Sequence, residues 1–227
     1  MTTHVLVHGA WHGGWAWERV TPLLTAAGAH VVTPDLTHDR DVGLSDHVDE
    51  VVAVIDAVTD PDLVLVGHSY AGLVVRQAAD RRSDRVAHLV LVDGWAGPDG
   101  ASLTDLAPDR FTAWVTAAAN ADGLIPPPAP ASFGITDPDD AQWLERRLHP
   151  HSLRTFTEPT RLTGAVDRIP GTGVHCVPET FPFARFAADL GYRAVPVDGP
   201  HNVPLTDPKS IADVLLGVGS REATTLG

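Results

Sequence analysis

The chain has 227 residues, 44% of them hydrophobic, with 16 Lys and Arg against 29 Asp and Glu for a formal net charge of -13. That length carries a full hydrophobic core, and one domain over 1-227 is expected, while the charge repels phosphate backbones and anionic headgroups and so argues against nucleic acid or a membrane surface as partner. Cys176 is the one cysteine, which excludes an intramolecular disulfide and a zinc site built on several thiolates.

No apolar run reaches the ~18 to 20 residues of a membrane helix, and M-T-T-H-V-L-V lacks the basic and long apolar regions of a secretory signal. The expectation is a cytoplasmic protein acting on a small molecule, without a cofactor or metal; a homodimer is compatible with the sequence.

Short β-branched runs alternate with helical patterns along the chain, the signature of a mainly parallel sheet in α/β layers. The first strand, over 4-7, runs into the glycine-rich segment His8-Gly9-Ala10-Trp11-His12-Gly13-Gly14, and a second follows over 30-33. Val48, Val51, Val52, Ile55 and Val58 then recur at helical spacing, with Ser45 as the expected N-cap and Asp46, Asp49 and Glu50 in the first turns. A third strand over 63-66 leads through Gly67-His68-Ser69-Tyr70-Ala71-Gly72 into a helical run over 73-82, and a fourth over 88-92 ends at Asp93. The alternation breaks over about 95-164, where a Pro-rich loop separates two helical stretches carrying Phe111, Trp114, Trp143 and Leu144; this reads as a lid inserted over the sheet's carboxyl edge. Trp95, Trp114, Phe133 and Trp143 either line a pocket there or glue the insertion to the body. Strands over 173-177 and 193-197 follow. Asp207 and Pro208 then cap a closing helix with Ile211, Val214, Leu215 and Val218 on one face, before a tail over 220-227 expected to fray.

G-x-S occurs three times, at Ser45, Ser69 and Ser102, so the pattern alone does not select a nucleophile. Context does: Ser69 alone follows a buried strand and precedes a helix, the setting in which a sharp turn lifts a hydroxyl into the crevice beyond the strand ends. A serine needs a base to take its proton. Of the twelve histidines, His201 in Gly199-Pro200-His201-Asn202 is in place, after the last strand and before the closing helix. The oxyanion of an acyl-transfer intermediate needs N-H donors, for which Tyr70, next after the serine, and Ala10, in the loop after the first strand, are the candidates.

V-L-V-H-G-A-W-H-G-G-W-A-W, V-G-H-S-Y-A-G and G-P-H-N-V-P-L-T-D-P together resemble the α/β-hydrolase superfamily. Within it they are similar to the branch of salicylic-acid-binding-type plant methylesterases, hydroxynitrile lyases and small bacterial esterases. The resemblance implies an α/β-hydrolase fold of about six mainly parallel strands with a small helical lid, a Ser-His-acid triad and no cofactor. It also implies an acid after the penultimate strand, where this chain reads Cys176-Val177-Pro178-Glu179-Thr180; aligning on the cysteine makes Glu179 the first choice, and Asp93 is the alternative. The expected function is a serine hydrolase cleaving a small or medium apolar or aromatic carboxylic ester. A thioester-processing variant, a cyanohydrin-cleaving lyase and a non-catalytic binding protein are alternatives. Against the lyase, the related lyases carry a lysine beside the catalytic histidine, and Asn202 stands there.

Overall fold

The computed structural model describes residues 2–219. Its elements in chain order begin with β1 (Thr2–Val7), α1 (Thr21–Ala26), β2 (His30–Val32), α2 (Leu44–Ala57), β3 (Asp62–His68), α3 (Ala71–Arg81) and β4 (Val86–Val92). Between β4 and the next sheet strand come α4 (Leu103–Leu106), α5 (Asp109–Ala118), β5 (Leu124–Ile125), α6 (Pro138–Glu145), β6 (His151–Ser152) and α7 (Arg154–Thr157). The chain then returns through β7 (Gly171–Val177), α8 (Phe183–Asp189), β8 (Arg193–Asp198), α9 (Val203–Thr206) and α10 (Pro208–Gly219).

Six strands form one parallel sheet in the order β2-β1-β3-β4-β7-β8. The near-continuous apolar runs follow from cover on both faces. In β1, Val5 and Val7 point to one side and Leu6 to the other; Leu63 and Leu65 oppose Val64 and Val66 in β3, and Leu89 and Leu91 oppose Val90 and Val92 in β4. On one face these side chains pack with Val48, Val51 and Ile55 of α2 and Leu73 and Val74 of α3, on the other with Leu24 of α1 and Ile211 and Leu215 of α10. The order reverses between β1 and β3, where one connection departs to each side and leaves a crevice at the carboxyl ends of the strands.

The six expected strands are present, most of them a residue or two longer than their apolar cores. Ser45 does not cap α2. The helix begins at Leu44 after Gly43, and the Asp46 carboxylate accepts from the Gly43 N-H at 2.7 Å, so the acidic residue of the first turn does the capping and Ser45 lies inside. Asp207 does cap α10, accepting from the Ser210 N-H at 3.1 Å. The tail over 220-227 lies outside the described residues.

The segment between β4 and β7 folds over the carboxyl edge and includes a two-residue antiparallel pair, β5 with β6, too short to show as a periodic pattern. Its Val115, Ile125, Phe133, Leu144 and Phe156 join the core on the α2-α3 side. Asp80 of α3 fastens its return, accepting from the N-H groups of Thr163 and Val166 at 2.7 and 2.9 Å and from the Thr163 hydroxyl at 2.8 Å.

Candidate active site

Ser69 sits between the end of β3 and the start of α3 with φ +54°, a left-handed conformation that is rare outside glycine. The surrounding backbone holds it there: its N-H donates to Val92 O, and its carbonyl accepts from the N-H groups of Gly72 and Trp95, each at 3.0 Å. The turn needs small neighbours. A Cβ on Gly67 would lie 2.7 Å from Ala71 O, and one on Gly9 would lie 3.0 Å from the Ser69 Cβ. Ala71, where the G-x-S-x-G elbow has its second glycine, fits as a fully buried residue of α3.

His201 Nε2 lies 3.0 Å from Ser69 Oγ, and His201 Nδ1 lies 2.9 Å from Asp93 Oδ2. Asp93, fully buried, follows β4 with φ +42°; its second oxygen accepts from the Cys176 N-H at 2.8 Å. Cys176 also bonds through Sγ to Pro200 O, so the end of β7 braces both the carboxylate and the loop that carries the histidine. The Phe183 ring stacks on the His201 ring at 5.5 Å, and His68 Nε2-H donates to His201 O at 2.9 Å.

The imidazole thus meets Asp93, the second candidate for the acid, and not Glu179. The Glu179 carboxylate is exposed and accepts from the Ala184 N-H at 2.7 Å, where it works at the start of α8 rather than at His201. Aligning on Cys176 places the glutamate just past the end of β7, but the chain turns there toward α8, while Asp93 emerges from the neighbouring strand directly beneath the imidazole. The signal for Asp93 was in the sequence: an acidic residue at the first position after the strand that follows the elbow helix.

Ala10 and Tyr70 both border the space in front of Ser69, and among the described residues no hydrogen bond uses the N-H of either. Trp11, which follows Ala10, is strained at φ +65°; Trp11, Ser69 and Asp93 are the non-glycine residues with positive φ among those described. The Tyr70 hydroxyl points away from the serine and donates to His47 Nδ1 at 3.0 Å. Burial pushes its pKa well above the usual phenol range.

The space itself is a cavity of about 210 Å³. Of the four rings left open between pocket and packing, Trp95, Trp114 and Phe133 line it, with Phe111, Phe156 and Phe181. Phe181 lies after β7 and was not legible as a pocket residue, since nothing in its local pattern says that the chain doubles back over the site. Trp143 does not line the cavity. Its ring packs edge-on against Trp15 at 5.3 Å and lies 5.7 Å from the Arg19 guanidinium, contacts that glue α6 to the body, while Arg147 of the same segment covers its other side at 4.3 Å.

Histidines crowd the same edge of the sheet. Burial pushes His8 down to about 3 and His12 down to about 4, and holds His68 and His151 well below the ordinary imidazole range, so all four are neutral at pH 7. His8, Asp35 and His38 offer ligand atoms within 4.8 Å of one another, the spacing of a metal site. Both nitrogens of His8 are already engaged: Nδ1-H donates to Gly9 O at 2.9 Å, and Nε2 accepts from the Leu36 N-H at 3.0 Å.

The alpha/beta hydrolase family profile matches residues 5–214. The chain belongs to the alpha/beta hydrolase family. It is 32% identical to the carbendazim hydrolyzing esterase of Nocardioides sp. (strain SG-4G), over 96% of this hydrolase and all of that protein. Methylesterase 2 of Arabidopsis thaliana is 32% identical over 49% of this chain, which spans 46% of that relative's length. Among solved structures, an extracellular alpha/beta-hydrolase from a Paenibacillus species, described as sharing structural and functional homology with tobacco salicylic acid binding protein 2, superposes with a TM-score of 0.87. It is 23% identical, with 97% of this hydrolase and 100% of that chain covered, a likeness of fold. No helix among the described residues is long and apolar enough to cross a membrane.

Proposed function

We propose that this hydrolase cleaves a carboxylic ester of modest size and apolar or aromatic character through an acyl-enzyme on Ser69. The observation that carries the reading is the continuous chain from Ser69 Oγ to His201 Nε2 at 3.0 Å and from His201 Nδ1 to Asp93 Oδ2 at 2.9 Å, opening into a cavity walled by aromatic rings. The esterase relative that aligns with almost the whole chain supports the same class of reaction.

In the reaction, Ser69 Oγ attacks the ester carbonyl carbon while its proton passes to His201 Nε2. Asp93 keeps Nδ1 protonated and stabilises the imidazolium that forms. The carbonyl oxygen gathers negative charge and is met by the N-H groups of Ala10 and Tyr70, which have no competing acceptor among the described residues. The C-O bond to the alcohol then breaks, and His201 returns its proton to the leaving oxygen. Water, deprotonated by the same nitrogen, attacks the acyl-enzyme, and the second tetrahedral intermediate expels Ser69 with the carboxylic acid as product. Asn202 beside His201 is uncharged and its amide is turned to His12, so the site lacks a cation at the position where the related lyases hold cyanide.

A fluorophosphonate probe tests the reading. It is expected to label the folded protein at one residue, Ser69, with labelling and p-nitrophenyl acetate hydrolysis both lost in Ser69→Ala. A folded wild-type protein that takes up no label would overturn it.

A further inference from the structure

His12 has no part in the reaction as written, yet it is 3% exposed and both its ring nitrogens are committed. Nδ1-H donates to the Ala10 carbonyl at 2.7 Å, which leaves Nε2 unprotonated, and Nε2 accepts from the Asn202 Nδ2-H at 3.0 Å. One imidazole therefore spans two loops. Ala10 belongs to the segment that supplies an oxyanion donor, and Asn202 adjoins the proposed general base. Among the described residues this is the one hydrogen bond that joins the segment 8-14 directly to 199-203.

The Ala10 carbonyl needs a holder. It belongs to the peptide that precedes Trp11, whose left-handed φ of +65° is strained and would relax if that peptide rotated. Rotation would turn the carbonyl away from His12 and shift Ala10, which lines the cavity. The His12 bond opposes this, and the Asn202 bond ties the same ring to the loop of His201. Asn202 is buried too, at 3% exposure, and its backbone N-H reaches Phe133 O at 3.4 Å, so its own position is confined.

Resting on the serine-hydrolase reading, we infer that His12 is a positioning residue: it clamps the Ala10 carbonyl with one nitrogen and the Asn202 amide with the other, keeping the oxyanion donor and His201 in fixed register as the carbon on Ser69 becomes tetrahedral. The clamp acts in the transition state more than in substrate binding, because the N-H it aims meets the full charge only there.

The ring also packs against Phe133 at 5.2 Å and Trp15 at 5.3 Å, and the variants separate packing from hydrogen bonding. His12→Phe keeps a ring and loses both bonds; His12→Gln loses the ring and keeps a donor and an acceptor; Asn202→Ala removes the second bond from its far side. With p-nitrophenyl esters, His12→Phe is expected to lower kcat by about 10- to 100-fold, less than deleting an oxyanion donor outright, with KM within about twofold. Affinity for a trifluoromethyl ketone, which forms a tetrahedral oxyanion on serine, falls in step with kcat, while affinity for the carboxylic acid product stays. His12→Gln recovers most of the loss, and Asn202→Ala adds nothing further in the His12→Phe background.

Ser69-dependent turnover with His12→Phe or Asn202→Ala at wild-type kcat overturns the clamp and leaves the serine reading standing. Absence of any Ser69-dependent turnover in the wild type overturns that reading and the clamp with it. If His12→Phe does not fold, Asn202→Ala and His12→Gln decide: wild-type kcat in Asn202→Ala, or ketone affinity in it that falls no more than product affinity, rejects the clamp.

Discussion

The floor of the cavity and its roof are built by opposite means. The floor comes from the carboxyl ends of β1, β3 and β4, where Trp11, Ser69 and Asp93 hold left-handed backbone conformations and each polar side chain of the proposed triad has a directional partner at 2.8 to 3.0 Å. The roof, from the segment between β4 and β7 and the stretch after β7, presents Leu103, Phe111, Trp114, Phe133 and Phe181, held by ring contacts such as Trp95 with Phe181 at 4.8 Å. Hydrogen bonds fail abruptly when a partner is lost, whereas packed rings give way by degrees. Chemistry and substrate choice should therefore separate cleanly by position: floor changes abolish turnover, and roof changes reorder substrates.

The largest expected effects lie in the floor. Asp93→Asn keeps the shape and tolerates the positive φ, but an amide in place of the carboxylate stabilises the wrong His201 tautomer; kcat should fall by about 10³- to 10⁴-fold in steady-state assays. Glu179→Gln is the matched control. Gln can still accept from the Ala184 N-H, so kcat should stay within about twofold. A reversal of these two results would return the acid to Glu179 and break the account of the floor.

Acid should attack the floor next. His8 and His12 titrate at about 3 and about 4 in the folded protein because burial opposes their charged form, against 6.5 for a free imidazole. Between pH 6.5 and 4 the unfolded chain binds more protons at these two positions than the folded one. Stability is thus lost as pH falls through 6.5, with a slope that approaches about 1.4 kcal/mol per pH unit for each only below about pH 5.5. Urea titrations at pH 7, 6 and 5 should show stability falling, and falling more between pH 6 and 5 than between 7 and 6. In His12→Gln the slope should be shallower by one histidine's share, and an unchanged slope would mean that His12 is not held neutral.

The floor was largely legible in the sequence. A sharp strand-to-helix turn demands small residues and a hydroxyl in order along the chain, so Gly67, Ser69, Tyr70 and Gly72 announce themselves locally, and His201 is fixed by following the last strand. The acid was legible only as a choice between Asp93 and Glu179, because two carboxylates follow adjacent strands and the path of the chain after each decides which meets the imidazole. The roof was half legible. Trp95, Trp114 and Phe133 were named for their chemistry, but aromatic type is the same whether a ring faces a cavity, as Trp114 does, or seals two elements, as Trp143 does against Trp15. Direction in such a segment is set by tertiary contacts with no period to betray them.

The mildest test falls on the roof. Trp114 is 39% exposed and touches Trp11 and Phe111 at ring distances of 6.0 and 5.7 Å, so it stands at the rim of the cavity with little of the core depending on it. Trp114→Ala should change the melting temperature little. It should lower kcat/KM by less than about tenfold for a benzoate ester, whose ring loses an apolar wall, while leaving an acetate ester of the same alcohol almost unaffected, because a methyl group beside Ser69 does not reach the rim. The informative quantity is the ratio of the two substrates, since it cancels any general effect on the enzyme. A parallel fall for both esters would mean that the rim helps to hold the floor in place, and the division between chemistry below and selection above would fail at that residue.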